Sequence, residues 1–505
     1  MFNASFALDP AHVVAPVHRR TFGSFVEHMG RCVYTGIYEP GHPSADEEGF
    51  RTDVLDLTRE LGVTTVRYPG GNFVSGYRWE DGIGPVADRP RRRDLAWHSV
   101  ETNEVGLDEF ARWCAKADVE LMYAVNLGTR GIEEALDVHE YANHPAGTAL
   151  SDLRVANGTK EPHNIRMWCL GNEMDGPWQI GHRTALEYGR LAAATARALR
   201  AADPTIELVA CGSSGAAMPT FGSWEATVLE ECYDVVDYIS CHAYYEEHDG
   251  DLGSFLASAV DMDRFVAGVA ATADAVGAKL RSRKKIQISF DEWNVWYLSR
   301  FQAEPPSAGW PVAPRVIEDQ YHVADAVAFG GLLISLLRNS DRVTAACLAQ
   351  LVNVIAPIRS EPGGPAWRQT TFHPFATTSR LARGNVLAVT MDAPSYETAR
   401  YGEVPLVDAV ATHDPSSGDV SVFAVNRDQS SPAGVTVDLR AFGGSLTVAE
   451  AWTLADDDLR ASNTVDAPDR VTLHRTPDVT LDGTLLRVPL PPVSWTALRL
   501  SPLTD

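Results

Sequence analysis

Between about residues 20 and 375 the chain repeats one pattern eight times: a short apolar, β-rich run, then a stretch with helical periodicity. The runs are Arg20–Val26, Val63–Tyr68, Glu120–Asn126, Ile165–Leu170, Ile206–Cys211, Val235–Cys241, Lys285–Asn294 and Val343–Ala349. Strands that alternate with helices imply a parallel sheet, because each helix must carry the chain back across a sheet face. Eight units, with polar residues gathered just after the strands, predict a closed (β/α)8 barrel. An open doubly wound sheet would want a glycine-rich phosphate loop after its first strand. Neither GxGxxG nor GxxxxGK[ST] follows any of the runs.

Apolar spacing predicts helices over Asp46–Leu61, about Ile132–Ala142, Thr184–Ala201, about Met262–Leu280 and Glu318–Leu337. After about Leu381 the helical period disappears. Short β-rich runs at Val386–Thr390, Leu406–Thr412, Val420–Val425, Val435–Leu439, Leu446–Trp452, Val471–His474 and Leu485–Leu498 are separated by Gly, Pro and Asp. They predict an antiparallel β-sandwich, jelly-roll-like, over 381–505, behind a barrel over 20–380. Residues 1–19 form an N-terminal segment expected to add a strand to that sandwich. The loop Leu298–Pro314, rich in proline and carrying Trp310, is long enough to act as a lid or subsite loop.

Sixty-seven acidic residues against 43 basic ones give a net charge of −24, which argues against nucleic acid and against anionic membrane surfaces as partners. No apolar run approaches a membrane span, and the N-terminus lacks the pattern of a secretory signal. The seven cysteines have no CxxC spacing, and Cys169, Cys211, Cys241 and Cys347 lie in apolar runs. Together these features predict reduced thiols in a cytoplasmic protein.

Chemistry concentrates after the strands: Glu27, Asn72, Asn126, Asn172 with Glu173, His242 with Tyr244, Glu292, and Gln350. Ile165–Leu170 breaks off into Gly171-Asn172-Glu173, and Lys285–Asn294 ends in Asp291-Glu292-Trp293-Asn294. Neighbours on a strand point to opposite faces, so Asn172 and Glu173 reach one pocket only if the chain twists at Gly171. The plainer reading of that stretch is a helix N-terminus with an acidic first turn. Asn126 reads equally well as a buried, satisfied amide. Two acids at facing strand ends fit glycoside hydrolysis, in which one carboxyl donates a proton and the other attacks. No HExxH or GxSxG occurs, and His139 and His144 do not share a helix face well, so no metal and no cofactor is expected.

Four stretches, RYPGGNF (Arg67–Phe73), WCLGNEMDGPWQ (Trp168–Gln179), SCHAYY (Ser240–Tyr245) and SFDEWNVWY (Ser289–Tyr297), closely resemble the α-L-arabinofuranosidases of glycoside hydrolase family 51. The resemblance covers nearly the whole chain. It implies a retaining mechanism with Glu173 as general acid/base and Glu292 as nucleophile. It also implies that Glu27, Asn72, Asn172 and Gln350 hold the furanose hydroxyls. Tyr244 resembles the residue that bonds near the nucleophile, and His242 and Arg67 the supports around the two carboxylates. Trp97 and Trp296 resemble aromatics on the leaving-group side.

The expected substrate is therefore an arabinose-containing oligosaccharide attacked from its non-reducing end, and the resemblance implies a homo-oligomer, commonly a hexamer. A β-xylosidase or endoglucanase on the same scaffold stays open, because loops shape the pocket. So does a non-catalytic carbohydrate-binding protein, against which the intact Glu173/Glu292 pair argues.

Overall fold

The computed structural model describes residues 1–303 and 309–503. Residues 304–308 of the predicted lid or subsite loop lie outside the described residues. The eight predicted strands close into a parallel barrel in chain order: Gly23–Phe25, Thr65–Tyr68, Glu120–Val125, Met167–Leu170, Glu207–Ala210, Tyr238–Tyr245, Gln287–Val295 and Val343–Ala349. All four residues of the fourth strand are buried, as expected of strands whose outer face is covered by helices.

Helix boundaries follow local hydrogen bonding more than periodicity. Glu187 accepts from the Thr184 backbone N–H at 3.1 Å, so the fifth-strand crossover helix starts at Ala185, beside its predicted start. The predicted helix from Asp46 begins only at Thr52. Asp46 instead turns the chain, accepting from the N–H groups of Glu48 and Phe50. The helix expected from Glu318 starts at Val323, because Glu318 is held by Arg31 and Arg359 while Asp325 caps the His322 N–H at 2.7 Å. Short helices such as Ala149–Ala156 and Ser223–Cys232 escape the sequence reading. Each is a brief segment in a crossover, too short for periodicity to be read.

The C-terminal strands form two larger sheets and a two-stranded one, Ser395–Thr398 with Gly402–Pro405. A seven-stranded sheet orders Val13–Pro16, Asn385–Leu387, Val407–His413, Val420–Asn426, Ser494–Pro502, Leu446–Leu454 and His474–Arg475. A four-stranded sheet orders Phe2–Ala7, Ala433–Asp438, Leu485–Leu490 and Thr480–Asp482. The run read as Leu485–Leu498 is thus two strands in different sheets. The N-terminal segment supplies a strand to each sheet. Phe2–Ala7 lies parallel to Ala433–Asp438, so the sandwich is not purely antiparallel.

Along Val420–Asn426 the alternation of side chains explains how the two units join. Val420, Val422 and Ala424 pack into the core between the sheets, while Phe423 and Val425 join the barrel core. The helix Val323–Arg338 lies between them, buried at every residue except Arg338. Its Phe329 ring meets Trp293 of the barrel at 4.9 Å, and its Gly330 faces Trp495 of the sheet. A helix wedged between two layers has no solvent face, which is why its sequence is apolar all round.

Candidate active site

The site lies at the C-terminal ends of the barrel strands, where barrel chemistry is placed. On the fourth strand, regular structure stops at Leu170, and Gly171 takes φ +90°. Glu173 itself sits at φ +45°, a left-handed conformation that costs a side-chain-bearing residue free energy. This turn replaces strand alternation, and Asn172 and Glu173 both enter the pocket.

The seventh strand solves the same problem differently. It does not end at its acids but continues to Val295. Against the sixth strand, pairing moves from Ser240↔Ser289 to His242↔Glu292, and against the eighth from Phe290↔Ala346 to Trp293↔Leu348. The seventh strand therefore carries one extra residue, a β-bulge. Phe290 packs outward on Phe265 and Trp293 outward on Phe329, while the two residues between them, Asp291 and Glu292, both reach inward side-chain partners.

These acids meet a compact set of partners. Arg67, on the second strand, donates from Nη1 to Glu292 Oε1 at 2.8 Å and from Nη2 to Asn172 Oδ1 at 2.7 Å. Its Nε lies 3.7 Å from Asp291. Tyr244 donates to the other Glu292 oxygen at 2.7 Å. His242 lies between the carboxylates: Nδ1 is 2.9 Å from Glu173 Oε1 and 3.6 Å from Glu292 Oε2, and Nε2 is 3.0 Å from Asp291 Oδ1. Trp178 donates from its indole to Glu173 Oε2 at 2.7 Å. Gly71 comes so close to the pair that a Cβ there would lie 2.9 Å from Glu292 Oε1.

The remaining predicted residues surround this centre. Glu27 accepts from the Phe73 N–H at 2.9 Å and the Trp97 indole at 3.0 Å, and its own N–H donates to Gln350. Asn172 donates to Asn72 at 3.4 Å. Trp296 meets Tyr244 edge-on at 4.9 Å and Phe301 at 5.9 Å, and Trp97 approaches Phe301 at 6.3 Å. All eleven predicted site residues thus gather in one region. Asn126 belongs elsewhere: it bonds Tyr77, Gly128 and Thr129 and fixes the turn after its strand. Asp291 and Trp178, from the same motifs but without a predicted role, also reach this centre.

Burial pushes the Glu173 carboxyl above its ordinary range; the hydrogen bond with His242 opposes this, and the charge of Glu292 adds to the push. Burial pulls His242 down, but Glu292, Asp291 and Glu173 outweigh it and hold the imidazolium well above its usual range. Glu27 is pushed up to about 8, by burial first and by Glu292 second. Glu173, His242 and Glu292 each bring one oxygen or nitrogen within 4.8 Å of the others, close enough for a cation to bridge. Those atoms are already engaged: His242 Nδ1 with Glu173, and Glu292 with Arg67 and Tyr244. The arrangement is suited to sharing a proton. A separate cavity of about 480 Å³, lined by His18, Arg20, Tyr238 and Gln287, opens at the opposite, N-terminal end of the barrel.

Comparison with known proteins finds relatives along the whole chain. Residues 57–267 match the family model described as the alpha-L-arabinofuranosidase 1 domain, and residues 291–494 match the alpha-L-arabinofuranosidase C-terminal domain. An intracellular exo-α-(1→5)-L-arabinofuranosidase of Streptomyces lividans is 61% identical over 99% of this chain and 75% of its own length. An exo-α-(1→6)-L-arabinofuranosidase of Bifidobacterium longum is 59% identical over 98% of this chain and 96% of its own. The solved structure of a family 51 α-L-arabinofuranosidase from Bifidobacterium longum superimposes with a TM-score of 0.95 at 51% identity, covering 99% of both chains. The chain belongs to glycoside hydrolase family 51, the α-L-arabinofuranosidases.

Proposed function

We propose that this chain is a retaining, exo-acting α-L-arabinofuranosidase that releases terminal arabinofuranosyl residues from arabino- or arabinoxylo-oligosaccharides. The observation that carries the reading is the spacing of the two acids: an oxygen of Glu173 lies within 4.8 Å of one of Glu292. Retaining glycosidases place their carboxyl groups about 5–5.5 Å apart, whereas inverting ones leave about 6.5–9.5 Å for a water.

In this mechanism Glu292 attacks the anomeric carbon while Glu173 protonates the departing glycosidic oxygen. A covalent arabinosyl ester forms on Glu292. Glu173, now ionised, takes a proton from the incoming water, which displaces Glu292 and restores the sugar with its original configuration. Arg67 and Tyr244 hold the two oxygens of Glu292, so one stays oriented as the other bonds to carbon. Glu27, Asn72, Asn172 and Gln350 offer hydrogen bonds to the sugar hydroxyls that strengthen as positive charge develops on the ring.

Trp97, Trp296 and Phe301 form an aromatic rim over these buried polar groups, which supports a pocket for one terminal sugar. The two relatives act on different linkages, 1→5 and 1→6, at nearly equal identity, so the reading stops at the terminal residue. The Streptomyces relative is named intracellular; for this chain we infer a cytoplasmic enzyme acting on short oligosaccharides. Homo-oligomeric assembly belongs to the same reading, and light scattering checks it.

Initial rates on p-nitrophenyl α-L-arabinofuranoside, β-D-xylopyranoside and β-D-glucopyranoside test the substrate. Dominant arabinofuranoside hydrolysis is expected; dominant xyloside or glucoside hydrolysis would retain the two-acid mechanism and overturn the substrate. Glu292→Ala should abolish turnover, with azide restoring cleavage to an inverted arabinosyl azide. Failure of azide to restore anything counts against Glu292 as nucleophile.

A further inference from the structure

Asp291 has no place in the mechanism above, yet it is only 1% exposed and is aimed inward by the bulge that presents Glu292. We propose that Asp291 is a positioning residue whose charge, set against the His242 imidazolium, decides when Glu173 carries its proton. This rests on the assignment of Glu173 as the acid/base. Three features of the site lead to it.

First, the ring of His242 is tied at both nitrogens. Nε2 lies 3.0 Å from Asp291 and Nδ1 lies 2.9 Å from Glu173. A carboxylate on Nε2 keeps a proton on that nitrogen and leaves Nδ1 to face Glu173. Second, the charges balance. In the free enzyme Arg67 and His242 are cations, while Asp291 and Glu292 are anions. With two against two, a neutral Glu173 completes an uncharged cluster, which is the cheapest state for groups this buried. Third, both oxygens of Glu173 have neighbours, His242 at Oε1 and Trp178 at Oε2.

The charge count also gives the timing. As the ester forms, Glu292 loses its charge, and the proton of Glu173 passes to the leaving oxygen. The cluster then holds Arg67, His242, Asp291 and ionised Glu173, again two against two. Glu173 can therefore act as base in the second step without any net charge being buried. Without Asp291, Glu292 still holds the imidazolium, so the same exchange would start with two cations against one anion, and Glu173 would lose its proton at lower pH.

The neighbours do not supply a substitute charge. Asp291 faces Arg67, His242 and the thiols of Cys169, Cys211, Cys241 and Cys347, which burial pushes up and keeps neutral. Glu173 faces His242, Glu292 and the Trp178 indole. Tyr244 sits on Glu292, and Glu27 lies beyond it.

Asp291→Asn tests the proposal, since asparagine keeps an acceptor for Nε2 and removes the charge. The readout is kcat/KM against pH on an arabino-oligosaccharide and on the p-nitrophenyl arabinofuranoside. The basic limb should move to lower pH, with kcat/KM on the oligosaccharide falling about tenfold or more on that limb. The aryl glycoside, whose leaving group needs less protonation, should lose far less. A uniform loss on both substrates with unmoved limbs overturns the proposal. If Asp291→Asn does not fold, His242→Gln removes the cation beside Glu173, and its basic limb should move to higher pH; an unmoved or lowered limb overturns the proposal. A wild-type chain inactive on arabinofuranosides overturns the functional reading and this one with it. An active wild type with an unmoved Asp291→Asn profile overturns this one alone.

Discussion

Trp178→Phe should act on Glu173 in the direction opposite to Asp291→Asn. The indole N–H donates to Glu173 Oε2 at 2.7 Å, and phenylalanine keeps an aromatic ring while deleting that donor. Trp178 is 52% exposed, so the change removes little packing and the fold should survive. The hydrogen bond favours the ionised acid, pulling the carboxyl down against burial. A hydrogen bond to a charged group contributes about 1.5–3 kcal/mol. With the donor half in water, the lower end applies, about 1.5 kcal/mol, or roughly tenfold in the proton equilibrium. Phenylalanine should thus keep Glu173 protonated to higher pH by about one unit. In kcat/KM against pH on a poor leaving group such as an arabino-oligosaccharide, the basic limb should rise by that amount while the acidic limb stays. An unmoved basic limb, or one that moves down, would refute the reasoning that this bond tunes the acid.

Two further perturbations probe the pocket. Glu27 holds its proton up to about 8 when folded but has an ordinary value of 4.5. At intermediate pH the folded chain therefore binds a proton that the unfolded chain has released, so this residue makes stability fall as pH rises between those values. Glu27→Gln should remove that slope and gain on the order of 3 kcal/mol over wild type in urea unfolding at pH 8 relative to pH 4; an equal gain at both would refute it. Gly71→Ala places a methyl group 2.9 Å from the Glu292 carboxylate and displaces it by a few tenths of an ångström. Since a misplacement of about 1 Å can cost about 100-fold, kcat on the aryl glycoside should fall about tenfold, and an unchanged kcat would mean that the carboxylate tolerates the shift.

The sequence made the barrel legible because its repeat is long-ranged and redundant: eight runs agree, and misplacing one boundary changes nothing. Helix starts such as Thr52 and Val323 were less legible, since single side chains, Asp46 and Asp325, decide them through hydrogen bonds that periodicity does not register. Eight of the eleven predicted site residues stand in the four quoted motifs; Glu27 and Gln350 follow the first and eighth strands, and Trp97 lies in the long loop after the second. The role of Asp291, in the same motif as Glu292, is not legible there for a physical reason. On an unbroken strand, Asp291 and Glu292 would point to opposite faces, so identifying one as inward assigns the other outward. Only the extra residue in the seventh strand reverses this, and a bulge is defined by pairing with two neighbouring strands, Tyr238–Tyr245 and Val343–Ala349, that are distant in sequence.

That bulge is also the link between fold and chemistry. A barrel strand offers one inward side chain in every two residues, which would give this site either Glu292 or the second carboxylate facing Arg67 and His242. By inserting a residue between Phe290 and Trp293, the strand keeps both aromatic rings outward against the helices and turns two consecutive acids toward Arg67 and His242. The fourth strand obtains its two inward residues, Asn172 and Glu173, by a left-handed turn after Gly171. Arg67 then closes the pair from the second strand, bonding Asn172 with one nitrogen and Glu292 with another. A single guanidinium thereby ties Glu292 to the neighbour of Glu173, and His242 touches both acids directly. A lysine in place of Arg67 could hold Glu292 or Asn172 but not both, because it lacks the planar fork.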